Sequence, residues 1–419
     1  MLTKEENDLL TQIYPGTPAG EMLRRYWQPA ALAQELPLGG APVPIRLLGE
    51  DLVLFRDEQG RPGLLAIHCS HRGADLSYGR IEDGGLRCIY HGWLYDVSGR
   101  CLEQPGEPAG STFHERIRHR AYPCVEVGGL ILAYMGSGEP PLVPAYEFLL
   151  ADDAHRLTTK LYSECNYLQG NEGNFDPQHL SFLHKFFNPD QIIYEYCARD
   201  PAPTIEPERT DFGMRLYAVR EVDDGTSYVK IRSFMMPNLA GVASNGTDGY
   251  NVNWHVPIDD ENHWRYSISF RRQQPMDHDR VYQRSVPELL PGFRSARNRS
   301  NRYLQDRDEM KTETFIGMGR VFQVHDMAAT EGEGPIFDRT AEHLGYTDRG
   351  VIALRQIMFE AIKDVQEGRD PLHVIRDPAS NVLPQIFVRD DTLPASADWR
   401  TYWKRDVEEA ARAMAATRA

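Results

Sequence analysis

The sequence predicts an α+β protein in three parts. These are a helical lead-in at 1–27, a β module at 28–140, and a larger unit at 141–419 in which an antiparallel sheet is flanked by helices. Three observations carry this. Between Gln28 and Gly138 the chain is a series of short strand-like runs broken by turn residues. Farther along, the runs at 212–222, 226–236 and 263–272 alternate apolar and polar residues at period two. The stretches at about 160–187, 349–367 and 397–418 repeat apolar residues at helical spacing.

In the lead-in, Leu9, Leu10, Ile13 and Met22 stand among charges, as on an amphipathic helix that packs on the larger unit. The β module opens with strands at 44–50 and 51–68, the second folded on itself at Glu58-Gln59-Gly60. Residues 86–104 continue the pattern with a turn at Ser98-Gly99, and 115–136 closes it with a buried-strand run, GLILAYM. The Gly/Pro-rich segment 136–144 marks the boundary with the larger unit.

Composition excludes several classes. With 46 Lys and Arg against 61 Asp and Glu the net charge is −15, opposite to what nucleic acid or an anionic membrane requires. No apolar stretch approaches the ~18 residues of a membrane span, and MLTKEENDLLTQIYPG lacks the apolar core of a signal peptide. Six scattered cysteines do not make a disulfide framework, so a reducing cytoplasm is expected. No GxGxxG or GxxxxGK[ST] loop is present, so no nucleotide or reductase module of its own is expected.

The strongest chemical signal is Cys69-Ser70-His71, then 16 residues, then Cys88-Ile89-Tyr90-His91. Each box offers one thiolate and one imidazole beside a glycine turn. Two thiolates suit one iron and two imidazoles a second iron of a bridged [2Fe–2S] cluster. A Cys₂His₂ zinc site uses the same residue types, although Cys-x-His is an unusual first box for zinc. Buried core cysteines and histidines are the bland alternative.

A second signal is Asp176-Pro177-Gln178-His179-Leu180-Ser181-Phe182-Leu183-His184. Two histidines and a carboxylate among Phe and Leu suit the 2-His-1-carboxylate arrangement that leaves positions open on Fe(II). On a regular α-helix residues five apart lie about 140° apart, too far round to share an ion. A π-bulge or helix break near 180–183 is therefore expected. The bland readings are partly buried helix histidines and an Asp cap followed by Pro. The remaining carboxylate must come from farther along, with Asp306, Asp308, Asp326, Asp338 and Asp348 as candidates.

Taken together, CSHRGADLSYG and LRCIYHGWLYD resemble the cluster boxes of the Rieske non-haem iron oxygenases, with Ser70 where that family usually has Pro. RRYWQPAALAQELP, CLEQPGEP, CNYLQGNEGNFDPQHLSFLH and the run beginning near Glu333 resemble its phthalate dioxygenase branch, which includes aromatic O-demethylases. The resemblance implies an N-terminal Rieske [2Fe–2S] β-domain and a C-terminal catalytic domain with mononuclear Fe(II). It implies Cys69, His71, Cys88 and His91 as cluster ligands, and His179, His184 and Asp326 as iron ligands. Asp326 enters because Asp326 followed five residues later by Glu331 resembles the family's third-ligand segment. It implies Asp176 as a catalytic carboxylate bridging to a cluster histidine of a neighbouring subunit in a homotrimer. A separate NADH-dependent flavin or iron–sulfur reductase, with or without a ferredoxin, and O₂ complete the expected system. The expected reaction is O-demethylation of a methoxylated, lignin-derived aromatic acid, releasing formaldehyde. The alternatives are cis-dihydroxylation of a phthalate-like acid, or a Rieske electron-transfer protein without oxygenase activity.

Arginine suits bidentate pairing with a carboxylate. Arg215, Arg220 and Arg232, on the strands after the second motif, are the candidate substrate residues, with solvent-facing charges as the alternative. Phe182, Phe234 and Trp254 are candidates for an apolar slot, with core packing as the alternative.

Overall fold

The computed structural model describes residues 1–189, 192–223, 225–243, 248–383 and 386–409. Two short helices, Lys4–Thr11 and Pro18–Leu23, open the chain. The first starts in a capping box, with Thr3 accepting from Glu6 N while the Glu6 side chain accepts from Thr3 N. Leu10, Ile13, Met22 and Leu23 are buried in one core with Leu354 and Met358 of the long helix Arg349–Gln366. Tyr26 reaches the same region through a 2.6 Å hydrogen bond to Leu372 O.

The N-terminal β module holds three small antiparallel sheets. Val43–Leu47, Glu50–Arg56, Pro62–Ala66 and Ala121–Tyr122 form one; Arg80–Glu82, Gly85–Arg87, Leu94–Tyr95 and Cys101–Glu103 form another. The third pairs Trp27–Leu32 and Cys124–Val127 on either side of Leu130–Tyr134. Between the first two sheets lies a separate small core of Val53, Phe55, Leu65, Leu86, Trp93 and Tyr95, into which Cys69 and Cys88 project.

The larger unit is an antiparallel sheet in the order Arg156–Ser163, His263–Phe270, Tyr250–Pro257, Leu239–Val242, Thr226–Met235, Gly213–Asp223, Thr204–Arg209. Arg389–Pro394 pairs with Thr226–Met235 on the edge it shares with Leu239–Val242. The expected runs at 212–222, 226–236 and 263–272 are strands of this sheet, and 349–367 is the helix Arg349–Gln366.

The stretch expected as a helix at 160–187 is different. Arg156–Ser163 is a strand, because Thr158 and Thr159 fit an extended chain and the run pairs along its length with His263–Phe270. The helix starts only where Asn166 caps Leu168 N at 3.0 Å and ends at Asn174. Of the stretch 397–418, residues 404–409 are helical and 410–418 lie outside the described residues. Among the described residues no helix is long and apolar enough to cross a membrane.

The helix Tyr167–Asn174 is fixed deep in the molecule. Glu172 accepts from Arg339 Nη2 at 2.7 Å and from Arg355 Nε at 2.6 Å, and Glu342 closes the buried ion cluster on Arg355. A charge buried this well is tolerable only because every partner is present. The cluster anchors the segment that leads directly into Asp176 and His179.

Candidate functional site

In the N-terminal module the two Cys/His boxes fold as a matched pair of loops. Gly73 N donates to Cys69 O at 2.8 Å and Gly92 N to Cys88 O at 3.0 Å. Both glycines sit at φ +74°, a left-handed backbone that glycine adopts without strain. Cys69 and Cys88 are buried, whereas His91 is exposed and its ring centroid lies 4.4 Å from that of His71. His71 stacks on Trp93 at 4.5 Å, and its Nδ1 is buried with no hydrogen-bond partner. Two buried free thiols, two adjacent imidazoles and an orphaned ring nitrogen fit a bridged cluster with its His side outward. Tyr95 OH stands 3.2 Å from Cys69 Sγ, where a thiolate can only accept its proton. Ser70 reaches His119 Nδ1 at 2.7 Å while His119 Nε2 donates to Ala66 O, so the hydroxyl ties the first loop to the strand behind it.

In the larger unit, His179, His184 and Asp326 place ligand atoms within 4.8 Å of one another, and they form the one such group among the described residues. The helix ends at Asn174, before either histidine, and the irregularity expected near 180–183 is not a π-bulge but the end of a 3₁₀ turn, Gln178–Ser181, whose C-cap Phe182 leaves helical geometry. It brings the rings of His179 and His184 to 5.0 Å. Asp326 arrives from the helix Phe322–Gly332, in whose second turn it lies. The rival carboxylates are engaged elsewhere: Asp306 and Asp348 accept from backbone N–H groups, Asp308 pairs with Lys311, and Asp338 caps Thr340.

Tautomers follow from the hydrogen bonds. Gly319 O can only accept, so His325 Nε2, 2.8 Å away, carries a proton. Burial lowers the pKa of His325, and its Nδ1 stands 3.1 Å from His184 Nδ1. Burial also pulls the His184 pKa down to about 4, against the opposing pull of Asp326. His184 Nε2 faces Asp326 Oδ1, 2.9 Å away. Ligand atoms at right angles on one transition ion, each ~2.1 Å from it, stand ~3 Å apart. The donor set fits a divalent metal.

Asp326 itself is steered. Burial alone would raise its pKa, but His184 and Arg265 outweigh that and hold the carboxyl ionised, well below the usual range. Arg265 Nη1 donates to Oδ2 at 2.9 Å, leaving Oδ1 for the metal side. Behind Arg265 runs a connected set of contacts: Asn253, Asn174, His255 and His263, ending on Cys165 O. None of Arg265, His325, Asn174 or Asn253 was singled out in the sequence. Their signal is a period-two row of polar residues facing inward: Asn251, Asn253 and His255 on one strand, His263, Arg265, Ser267 and Ser269 on the next.

Asp176 divides its carboxylate. Oδ1 accepts from Gln178 N at 2.9 Å, which is the capping role, and Oδ2 stands 3.5 Å from His179 Nδ1. The triad, Asp176 and Arg232 all line one cavity of about 1220 Å³.

The three arginines part company here. Residues 215 and 220 are an odd number apart on one strand, so their side chains leave opposite faces. Arg215 pairs with Glu208 at 3.0 Å and stacks on Trp403 at 4.1 Å, on the face away from the cavity. Arg220 is fully buried and spends its donors on Pro177 O and Asp200 O, so it braces the Asp176 turn and does not line the cavity. Only Arg232 does. Of the three aromatics, Phe234 and Trp254 are core, and Phe182 is largely exposed against Phe315.

Comparison with known proteins agrees with this construction. Residues 26–123 match the Rieske [2Fe-2S] domain, and residues 133–418 match the family described as LigXa C-terminal domain like. The chain is 34% identical to the phthalate 4,5-dioxygenase oxygenase subunit of Pseudomonas putida, over 97% of this chain and 96% of that one. It is also 34% identical to the 5,5'-dehydrodivanillate O-demethylase oxygenase subunit of a Sphingobium, over 94% and 88%. The terminal oxygenase of carbazole 1,9a-dioxygenase from a Novosphingobium shares the fold, with a TM-score of 0.57 at 20% identity over 84% of this chain and 96% of that one. Another similar structure, at TM-score 0.59 and 19% identity over 90% and 97%, is the reduced complex between oxygenase and ferredoxin in carbazole 1,9a-dioxygenase.

Proposed function

The chain belongs to the Rieske non-haem iron oxygenases, and from that membership we propose that it is the terminal oxygenase of a multicomponent system oxidising an aromatic carboxylic acid. The preferred reaction is O-demethylation of a methoxylated ring. The observation that carries the oxygenase reading is His184 Nε2 aimed at Asp326 Oδ1 across 2.9 Å inside a cavity of about 1220 Å³. A Rieske electron-transfer protein has no use for that second site.

In this reading Cys69, His71, Cys88 and His91 hold the cluster and His179, His184 and Asp326 hold the iron. When bound, the two groups supply one-electron transfer and O₂ activation. The chain's own residues do the rest. His325 backs the His184 ring at Nδ1, and Arg265 keeps one Asp326 oxygen occupied so that coordination positions stay open. Leu180, Leu183 and Phe186 give the triad an apolar wall that limits water. Asp176, 29% exposed at the side chain, is available to a histidine of another subunit, while His91 is exposed on the module's surface. The assembly proposed for this pairing is a homotrimer, a closed head-to-tail ring in which each module serves its neighbour. The electron donor is a separate reductase, with or without a ferredoxin.

A product assay tests the reading. The iron-replete protein, an NADH-dependent reductase and O₂ are given methoxylated and unmethoxylated mono- and biaryl acids. Formaldehyde with a substrate shortened by one methylene is the expected result. Addition of two hydroxyl groups to a ring edge without formaldehyde establishes cis-dihydroxylation instead. No oxygen consumption with any acid returns the chain to the electron-transfer class.

A further inference from the structure

Alternate residues of the strand Thr226–Met235 share a face, so Lys230 projects on the same side as Arg232. Both line the cavity, and both are deeply buried, at 7% and 4% exposure. Neither is satisfied. Arg232 donates through Nη1 to Asn174 O, but its Nε is buried without a partner. Lys230 makes no hydrogen bond or ion pair among the described residues, and the Tyr228 ring lies 5.9 Å from its Nζ. Its cross-strand neighbour Asp390 is the obvious counter-ion, yet one oxygen of Asp390 accepts from Tyr228 OH at 2.7 Å and the other has no partner. A buried ammonium left in this state costs free energy that packing does not return, and burial accordingly lowers its pKa.

We propose that Lys230 and Arg232 form an anion subsite that anchors a carboxylate of the substrate, with Lys230 Nζ and Arg232 Nε as the donors. The inference rests on the aromatic-acid reading above and names the side chains that would impose it. Residues two apart on a strand have Cα atoms ~6.8 Å apart, a span that two long side chains close on one carboxylate. Arg232 feels the charges of both Asp176 and Asp326, so the subsite opens towards the triad. Arg215 is as deeply buried as Arg232 but faces Glu208 and Trp403, and serves as the control.

The test is isothermal titration of the cluster- and iron-loaded enzyme with phthalate and 3-methoxybenzoate, each beside its methyl ester. The wild type should prefer the acids. Lys230→Met should weaken acid binding about tenfold to a hundredfold and leave ester binding unchanged, the loss of a charge-assisted hydrogen bond. Lys230→Arg should restore the preference, and Arg215→Met should keep it. Equal losses for acids and esters, an intact acid preference in Lys230→Met, or no acid binding by the wild type would each overturn the subsite. Steady-state kinetics separates this from failure of the broader reading. Acids oxidised by wild type and Lys230→Met with the same KM remove the anchor alone. Oxidation confined to neutral aromatics removes the aromatic-acid reading as well.

Discussion

The Cys/His pocket of the N-terminal module takes all four side chains from two loops 16 residues apart, each closed by its own backbone hydrogen bond. It leaves one imidazole at the surface. The His/His/Asp cluster draws its carboxylate from a helix 142 residues beyond its second histidine and buries that histidine to 3% exposure. It is held from behind by polar side chains of two adjacent sheet strands. The difference matches what each chemistry needs. An electron relay must be approached from outside, whereas O₂ chemistry needs a walled site with its ligands pre-set.

The contrast is broken most severely by removing one ligand from each side. Asp326→Ala should abolish turnover and empty the mononuclear site while the visible spectrum of the cluster is unchanged. Cys88→Ser should do the reverse, with mononuclear iron retained and the cluster lost. Iron analysis with absorbance and electron paramagnetic resonance reads both. Loss of both metals in either variant would mean that the regions are not independent.

Asp176→Asn sharpens the link between them. Both metal sites should stay filled while turnover falls by at least ~10²-fold, the scale of a positioned polar catalytic group. Normal turnover with full metal content would reduce Asp176 to its capping bond with Gln178.

The support behind the carboxylate is next. Arg265→Met frees Asp326 Oδ2 and leaves Asn253 without its guanidinium partner. Metal affinity should fall about 10- to 100-fold, the usual cost of losing an outer partner of a ligand. Competition with a chelator measures it, and an unchanged affinity would show that Arg265 only balances charge.

The smallest effect concerns acid stability. Burial holds both His263 and His373 at a pKa of about 4, below the ordinary histidine value. The unfolded chain therefore binds more protons between pH ~6.5 and ~4, and stability must fall as pH drops through that window. Each group contributes at most ~3 kcal/mol. His373→Asn keeps a side chain suited to its left-handed backbone, φ 69°, and removes one titrating group. Its melting temperature should depend less steeply on pH than that of the wild type; an identical slope would exclude His373 as a contributor.

Much of this was legible before any fold was known. The Cys/His boxes were readable because rare residue types sat at local spacing beside turns, and a local loop needs no distant partner. An irregularity between His179 and His184 was readable because they are five residues apart, a spacing a straight helix does not reconcile; the end of the helix at Asn174, before both, was not. Less legible was the extent of that helix: helical spacing suggested 160–187, but pairing with His263–Phe270 decides that Arg156–Ser163 is a strand. The substrate arginines were chosen by proximity in sequence, whereas strand parity sends Arg215 to one face and Arg220 and Arg232 to the other. Lys230, two residues from Arg232, carries no such signal, since lysine on a strand ordinarily faces solvent.

By itself, then, the sequence determined which residue types sit in each local constellation and the class of chemistry they serve, since loops and turns are encoded within a few residues. Spacing left five late carboxylates open and only the family resemblance pointed to Asp326; tertiary structure brings Asp326 to the histidines. It also decided that His325 and Arg265 orient the pair, and that Lys230 is buried with no ion pair among the described residues. Those outcomes depend on which strand lies beside which and which face turns inward, and neither is a property of any short stretch of chain.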